Sequence, residues 1–355
     1  AGAKLVDFAG WEMPIQYSGV IDEYHTVRNK AGLFDVSHMG RISVSGPGSV
    51  AFLQYVTTND VSKIGVRQSQ YSMVCNPDGG IKDDIFIYHV NPYDFLVCVN
   101  ASNREKILSW FREKVAHAQG CRVHDCSMEL AQIALQGPAS RDILTAAGIS
   151  DLPALKVRHC LETTAFAERA IIARTGYTGE LGYELYLPPD AAQTLWVRLL
   201  ELGRPQGLKP AGLGARDLLR LEMAYLLYGN EINEATSPME AGAEWVVNFE
   251  KCEFVGRRAL LAQRAQGITR RLVGFELLEK AVPRHGFKIL ASALPNSIGE
   301  VTSGNLSPLL QKGIGLGYVA PKYAEPGTDL FIDIRGKAVP AKIVKPPFYK
   351  RSSSK

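Results

Sequence analysis

The chain has 355 residues, of which 46% are hydrophobic and 21% are charged, and its formal net charge is +4. This length is enough for two or three domains that each bury a core. The small charge, without clustered Lys and Arg, argues against a nucleic-acid surface, and no apolar run is long enough to span a membrane.

The six cysteines are scattered along the chain and include no CxxC pair. Apolar settings such as FLVCVN (95–100) predict small buried thiols in a reducing compartment. No metal-ligand spacing joins the cysteines to the seven histidines, so we predict no metal site. The chain opens abruptly on AGAKLVDFAGWEMP (1–14), and we expect that a few upstream residues are missing.

Two stretches in the first two thirds of the chain repeat one plan. RISVSGPGSVAFLQYV (41–56) and LAQIALQGPASRDILTAA (130–147) each predict a strand, a Gly-Pro turn and a helix. Each copy is followed by further predicted strands and an amphipathic helix, at 70–90, 94–100 and 101–115 in the first copy and at 169–188 and 190–203 in the second. We therefore predict a duplicated α+β unit of ferredoxin-like character, with helices covering antiparallel strands.

From about residue 234 the sequence changes to short strands between glycine and proline turns. After one predicted helix at 256–266, the predicted strands are 270–278, 297–308, 313–320, 329–336 and 337–348. Regular short strands of this kind predict a closed antiparallel barrel or a jelly roll. The chain is thus expected to form three modules.

Two adjacent aspartates open a predicted strand in CNPDGGIKDDIFIYHV (75–90), although aspartate is depleted in strands. Period-two alternation places Asp84 on one face with Phe86 and Tyr88. Two interpretations are open. Either Asp83 and Asp84 both cap the NPDGG turn, or Asp84 lines a flat pocket and interacts with a nitrogen-rich ring.

A second acidic position lies in RTGYTGELGYELYL (174–187), where Glu184 follows a glycine-rich turn that contains Tyr177. Its carboxylate either accepts two parallel hydrogen bonds from an amino-N–H fork or faces water. Arg216 lies near the start of a predicted helix, against the helix dipole. This position indicates a ligand or, alternatively, a salt bridge to Glu222 or another acid.

Three further motifs do not support a function. GIGLGYV (313–319) lacks the glycine spacing and the strand–turn–helix context of a dinucleotide loop. FDVSHMG (34–40) and VHDC (123–126) contain Ser, His, Asp and Cys, but no nucleophile context separates a triad from ordinary loop residues.

Five motifs, taken in order, resemble the aminomethyltransferase family, the T-proteins of the glycine cleavage system. They are GAKLVDFAGWEMPIQY (2–17), GLFDVSHMGRI (32–42), NPDGGIKDDIFIY (76–88), RTGYTGELGYEL (174–185) and GLGARDLLRLEMAYLLYGNEI (212–232). The similarity extends through GEVTSGNLSPLL (299–310) and covers essentially the whole chain.

This resemblance implies a three-domain cloverleaf around a central folate site. Residues 1–42 and 129–233 would form a split first domain that binds folate, and residues 43–128 an inserted α+β domain that carries the catalytic acid. Residues 234–355 would form the C-terminal barrel domain.

The resemblance also implies the reaction. An aminomethyl group on the lipoyl arm of the H-protein passes its methylene to tetrahydrofolate, giving 5,10-methylenetetrahydrofolate, ammonia and the dihydrolipoyl carrier. Tetrahydrofolate is the co-substrate, and the P- and L-proteins are functional partners, with neither nucleic acid nor membrane involved. A bacterial cytoplasm or a mitochondrial matrix is expected, and the cytoplasm is favoured.

The family's motif match assigns the catalytic role to Asp84, which would orient N5 and N10 and stabilise the developing iminium charge, with proton shuttling as a second role. Glu184 would bind the amino-pyrimidine edge of the pterin. Arg216 would contact the glutamyl tail or position a pocket acid. The remaining expected folate contacts are Tyr71, Tyr88, Asn100, Tyr177 and, at a C-terminus that matches the family poorly, Arg351.

Three alternative functions share this fold. A folate-binding accessory protein of iron–sulfur maintenance is disfavoured, because ARTGYTG (173–179) stands where that group has Lys-Gly-Cys-Tyr-x-Gly-Gln. The folate domain of sarcosine or dimethylglycine demethylation is fused to a flavin domain, and no Rossmann fingerprint precedes residue 1. A pure binding module stays open if Asp84 is silent, and we favour the transferase.

Overall fold

The computed structural model describes residues 2–116, 118–149, 152–165, 167–294 and 296–351. Their contacts form two compact units. Unit 1 is Ala1–Val74, Lys82–Arg216 and Glu250–Val255, and unit 2 is Cys75–Ile81, Asp217–Phe249 and Gly256–Lys355. Within the described ranges, no helix is both long and apolar enough to cross a membrane.

The helices and strands alternate along the first two thirds of the chain. They are β1 (Lys4–Phe8), β2 (Trp11–Gln16), α1 (Val20–Asn29), β3 (Ala31–Asp35), β4 (Gly40–Ser45), α2 (Ser49–Val56), β5 (Ser69–Cys75), β6 (Ile81–Asn91), β7 (Asp94–Val99), α3 (Arg104–Val115), β8 (Arg122–Asp125), β9 (Ala131–Gln136), α4 (Ser140–Ala146), β10 (Cys160–Ala165), β11 (Glu168–Ala173), β12 (Gly182–Leu187), α5 (Pro189–Gly203), β13 (Leu208–Pro210) and α6 (Leu213–Glu222).

The strands of unit 1 confirm the predicted duplication. One sheet has the order β5-β6-β7-β4-β8 and the other β10-β11-β12-β9-β3-β13. The first four strands of the first sheet, β5, β6, β7 and β4, therefore occupy the same places as β10, β11, β12 and β9 in the second. One detail of the prediction is wrong. The second sheet is not purely antiparallel, because β13 pairs with β3 in parallel, with Leu208 opposite Ala31.

Helices cover one face of each sheet, as predicted. Ile85 and Ile87 of β6 pack beneath α2 and α3, where the rings of Phe52 and Phe111 meet edge to face at 5.5 Å. The opposite faces of the two sheets share one cluster, which includes Tyr88 of β6. The full cluster of buried residues is Tyr88, Leu96, Cys98, Cys126, Cys160, Ala173 and Tyr186.

The two repeats also exchange backbone hydrogen bonds at equivalent points. The amide of Cys160 donates to the Arg67 carbonyl at 2.8 Å, and the amide of Ser69 donates to the Arg158 carbonyl at 2.8 Å. Both arginines are exposed and have left-handed backbones, with φ of 70° and 59°. A non-glycine residue adopts this conformation at a cost of about 1–2 kcal/mol, and the exchanged hydrogen bonds lie where this strain occurs.

Unit 2 is built on a barrel whose closure confirms the sequence prediction. Its elements are α7 (Arg257–Gln266), β14 (Arg271–Leu277), β15 (Lys288–Leu290), β16 (Ser297–Ser307), β17 (Lys312–Val319), β18 (Asp329–Ile334) and β19 (Lys337–Val344). The strands close in the order β14-β17-β16-β15-β18-β19 around Phe275, Ile289 and Ile332. The three-residue strand β15 had no predicted counterpart.

None of the six cysteines forms a disulfide. Cys75, Cys98, Cys126 and Cys160 are buried, as predicted. Cys121 is only half-buried, and the prediction is wrong for Cys252, which is exposed in an irregular segment outside any strand or helix.

Candidate functional site

Strand β6 carries the acidic pair and separates its two side chains. Asp84 and Phe86 are half-buried and lie on the face that includes Tyr88, whereas Asp83 is fully buried on the core side with Ile85. The predicted alternation is therefore confirmed, and the two aspartates lie in different environments.

Two neutral donors fix the Asp84 carboxylate. The Tyr71 hydroxyl donates to Oδ2 at 2.8 Å, and Nδ2 of Asn100 donates to Oδ1 at 2.7 Å. Burial and the charge of Asp84 raise the pKa of Tyr71 well above its usual 10, so this phenol stays protonated and keeps donating. The structure thus brings together three residues that the sequence analysis assigned to the site.

The turn before β6 does not use either aspartate as its cap. Oδ1 of Asn76 accepts hydrogen bonds from the amides of Asp78, at 3.0 Å, and Gly80, at 2.8 Å. The interpretation in which Asp83 and Asp84 both cap this turn is therefore wrong, because an Asx-type turn closed by Asn76 already satisfies the local amides.

Glu184 is the acceptor at the end of a donor network. Tyr186 donates to the Tyr88 hydroxyl at 3.0 Å, and Tyr88 in turn donates to Oε2 of Glu184 at 3.2 Å. Thr175 also donates to Oε2, and Nε2 of Gln132 donates to Oε1 at 2.9 Å. Glu184 is half-buried, so its carboxylate is oriented by protein donors while part of it stays accessible.

A row of aromatic rings joins the two acidic positions. The ring centroids of Tyr71 and Phe86 are 6.2 Å apart, those of Phe86 and Tyr88 5.5 Å, and those of Tyr88 and Tyr186 5.5 Å. Residues four apart on a strand are separated by about 13 Å, which sets the scale of the strip between Asp84 and Tyr88. A flat ring with nitrogen donors at both ends matches such a strip.

Arg216 stacks on Tyr177, with the guanidinium carbon 4.6 Å from the ring centroid. Among the described residues of unit 1 it forms no hydrogen bond or ion pair. Glu222, the acid named in the predicted salt bridge, belongs to unit 2, so that alternative stays a prediction. In unit 2, Arg220 pairs with Asp217 at 2.7 Å.

The FDVSHM segment contains a buried histidine that the sequence analysis passed over. His38 is 4% exposed, and its ring meets Phe8 edge to face at 5.6 Å. Burial, followed by the charges of Arg216 and Arg41, lowers its pKa to about 3, so the imidazole is neutral. Within the described part of the chain its Nδ1 has no partner, and Ser37 bonds Gln132 instead, so no triad forms.

The remaining sequence motifs and Arg351 have the following places in the structure. GIGLGYV (313–319) belongs to barrel strand β17. In VHDC (123–126), His124 contacts Glu129 at 2.7 Å on the surface, and Asp125 pairs with Arg104. Arg351 is an exposed residue of unit 2. Across the described ranges, no three His, Cys, Asp or Glu side chains form a group that could bind a metal.

Comparison with known families gives two matches that together cover most of the chain. The family model described as the GCVT N-terminal domain matches residues 1–251. The model described as the glycine cleavage T-protein C-terminal barrel domain matches residues 270–350.

Individual proteins give the same result. The chain is 48% identical to an aminomethyltransferase of Halothermothrix orenii over 98% of this chain and 96% of that protein. It is 46% identical to an aminomethyltransferase of Phocaeicola vulgatus, again over 98% and 96%. A crystal structure of the glycine cleavage system aminomethyltransferase T of Bartonella henselae is similar with a TM-score of 0.92 and 34% identity, over 98% of this chain and 95% of that one.

Proposed function

The chain belongs to the glycine cleavage T-protein family of aminomethyltransferases, and on this premise we propose that Asp84 is its catalytic residue. The family's reaction transfers the methylene of an aminomethyl-lipoyl carrier to tetrahydrofolate, and this chain is an enzyme of that class. The assignment of individual residues within the reaction is the proposal.

The observation that carries the proposal is the setting of Asp84. Its carboxylate is fixed by Tyr71 and Asn100, two donors without charge, and it lies at one end of the aromatic strip. Positive charge develops at a folate nitrogen as the methylene is transferred, and a fixed carboxylate stabilises that charge without having to reorient. The same oxygens are suited to moving a proton as ammonia leaves.

The other end of the strip suits the amino-pyrimidine edge of the pterin. Glu184 is oriented by three protein donors, and its accessible part can accept hydrogen bonds from a parallel N–H fork. Tyr71, Tyr88, Asn100 and Tyr177 then border the ring. We assign the anionic glutamyl tail to Arg216, whose donors have no partner in unit 1, and a further folate contact to Arg351.

The proposal includes partners and organisation. We infer that a lipoylated H-protein delivers the aminomethyl group and that the P- and L-proteins act in the same system. A reducing bacterial cytoplasm is the proposed compartment, in keeping with six unpaired cysteines. The proposed domains keep the limits 1–42 with 129–233, 43–128 and 234–355.

A single-turnover assay tests the role of Asp84. Aminomethyl-loaded H-protein and tetrahydrofolate are mixed with wild type, Asp84→Asn or Asp94→Asn, in which an exposed acid undergoes the same change. We expect Asp84→Asn to bind folate within a few-fold of wild type and to transfer about a hundredfold more slowly, with Asp94→Asn unchanged. Unchanged turnover in Asp84→Asn would refute the assignment. Binding of folate by wild type without any transfer would indicate a pure binding module.

A further inference from the structure

The first acid of the pair, Asp83, has an environment that its place in the strand alone does not require. It is 0% exposed and lies among the apolar side chains of β6. Its partners are all amides, and among the described residues no lysine or arginine pairs with it. A buried carboxyl without a counter-ion is costly and persists where surrounding structure or function requires it.

One amide nitrogen links the two acids. Nδ2 of Asn100 donates to Oδ1 of Asp83 at 2.8 Å and to Oδ1 of Asp84 at 2.7 Å. The backbone amide of Asn100 donates to Oδ2 of Asp83 at 3.0 Å, so both oxygens of this carboxyl contact the same residue. Nδ2 of Asn103 approaches Oδ1 from the other side at 2.5 Å. Asp83 thereby fixes the amide that fixes Asp84.

We propose that Asp83 is a positioning residue for aminomethyl transfer, which sets the orientation of the Asp84 carboxylate through Asn100. This inference rests on the proposed role of Asp84. Catalytic groups need to be fixed to within about 0.5 Å, and a carboxyl that contacts both the backbone and the side chain of Asn100 provides that constraint. Of the two aspartates, only Asp84 is proposed to touch the ligand.

The electrostatics of the pair support a division of roles. Burial raises the pKa of Asp83 to about 8, the charge of Asp84 acts in the same direction, and the amides of Asn100 and Asn103 oppose both. Burial of Asp83 thus favours its neutral form. Above about pH 8 a charge appears on Asp83 and competes for the bridging amide.

Asp83→Asn tests the inference. Whichever way the new amide is turned, its nitrogen faces at least one of the N–H donors that now bind Asp83. In the single-turnover assay we expect transfer to slow about ten- to a hundredfold while the folate Kd stays within about threefold. The wild-type rate should fall through an apparent pKa near 8, and this alkaline limb should be absent in Asp83→Asn.

A second variant keeps the test decisive if Asp83→Asn folds poorly. Asn103→Ala removes only the outer donor, which stabilises the charged form of Asp83, so the alkaline limb of the rate should move to higher pH. A limb that is missing from wild type or unmoved in Asn103→Ala would overturn the inference. So would a transfer rate in Asp83→Asn within about twofold of wild type, or a rate loss matched by equal losses of folate affinity and stability.

Asp84→Asn, measured in parallel, separates this inference from the proposed function. If Asp84→Asn transfers normally, the catalytic assignment fails. If Asp84→Asn is slow and Asp83→Asn behaves as wild type, only the positioning role of Asp83 fails.

Discussion

Replacing Glu23 by alanine should destabilise unit 1 strongly. Glu23 lies in α1 and is 0% exposed. Its Oε1 accepts hydrogen bonds from the amides of Tyr17 at 2.5 Å, Ser18 at 2.9 Å and Gly19 at 3.1 Å, and its Oε2 accepts one from Gly212 at 2.8 Å. One carboxylate therefore joins the start of α1 to the loop before α6.

The four amides do not contribute equally. Ser18 is exposed, and Tyr17 and Gly19 are half-buried, so water can replace the carboxylate there, whereas Gly212 is buried. A buried unpaired amide costs about 1–3 kcal/mol, and hydrogen bonds to a charged group contribute about 1.5–3 kcal/mol. We expect Glu23→Ala to lower the free energy of unfolding by about 3–5 kcal/mol. Glu23→Gln should cost about half as much, because its remaining oxygen still accepts on one side.

Urea unfolding combined with amide hydrogen exchange measures this effect. Exchange is the sharper probe, since the Gly212 amide should lose its protection in Glu23→Ala even if the chain does not unfold in a single transition. Asp22→Ala is the matched control, because Asp22 is an exposed neighbour whose pair with Lys209 is worth about 0–1 kcal/mol. Unchanged protection of Gly212, or a loss no larger than that of the control, would refute the reasoning.

Three further outcomes can be checked. Thr175→Val removes a donor from Glu184 and should weaken folate binding by about five- to thirtyfold in a titration, with the fold unchanged by circular dichroism. Arg216→Lys removes the planar group from the Tyr177 ring and should weaken binding by about two- to fivefold; equal affinity would contradict the assigned contact. Nζ of Lys251 donates to the carbonyls of Gln54, Thr57 and Asn59. Lys251→Met should therefore lower the free energy of unfolding by about 1–3 kcal/mol. Burial lowers the pKa of Lys251 to about 8 from 10.5, so between these pH values the unfolded chain binds one proton more than the folded chain. The free energy of unfolding of wild type should therefore rise with pH across that window, and that of Lys251→Met should not.

Local patterns predicted most of the secondary structure. The two Gly-Pro turns and the periodicities around them were sufficient for β4 with α2 and for β9 with α4, because both signals lie within a few residues. The barrel strands were visible for the same reason. Strands β1, β2, β3, β8, β10, β13 and β15 were not predicted. The three-residue β13 is defined by parallel pairing with a strand about 180 residues earlier, which no local pattern shows.

In the candidate site too, local patterns predicted some features, and contacts between residues distant in sequence determine the others. Alternation along β6 was enough to predict the face of Asp84, but it could not predict Asp83, whose partners lie 17 and 20 residues away. Glu23 reads as an ordinary acid near a helix start, and only the fold brings Gly212 to it. His38 resembles a loop residue because its burial comes from other elements. A sequence alone does not show which polar side chains tertiary structure will bury.

The reciprocal contact between the repeats of unit 1 has the form of a symmetric dimer within one chain. Arg67 accepts from the second copy and Arg158 from the first, as equivalent residues do across a two-fold axis in an isologous interface. If the chain were cut between the copies, each half would lack backbone hydrogen-bond partners that only the other half supplies. Such halves should associate into a heterodimer, and each arginine carbonyl would regain its hydrogen-bond donor only in the assembled pair.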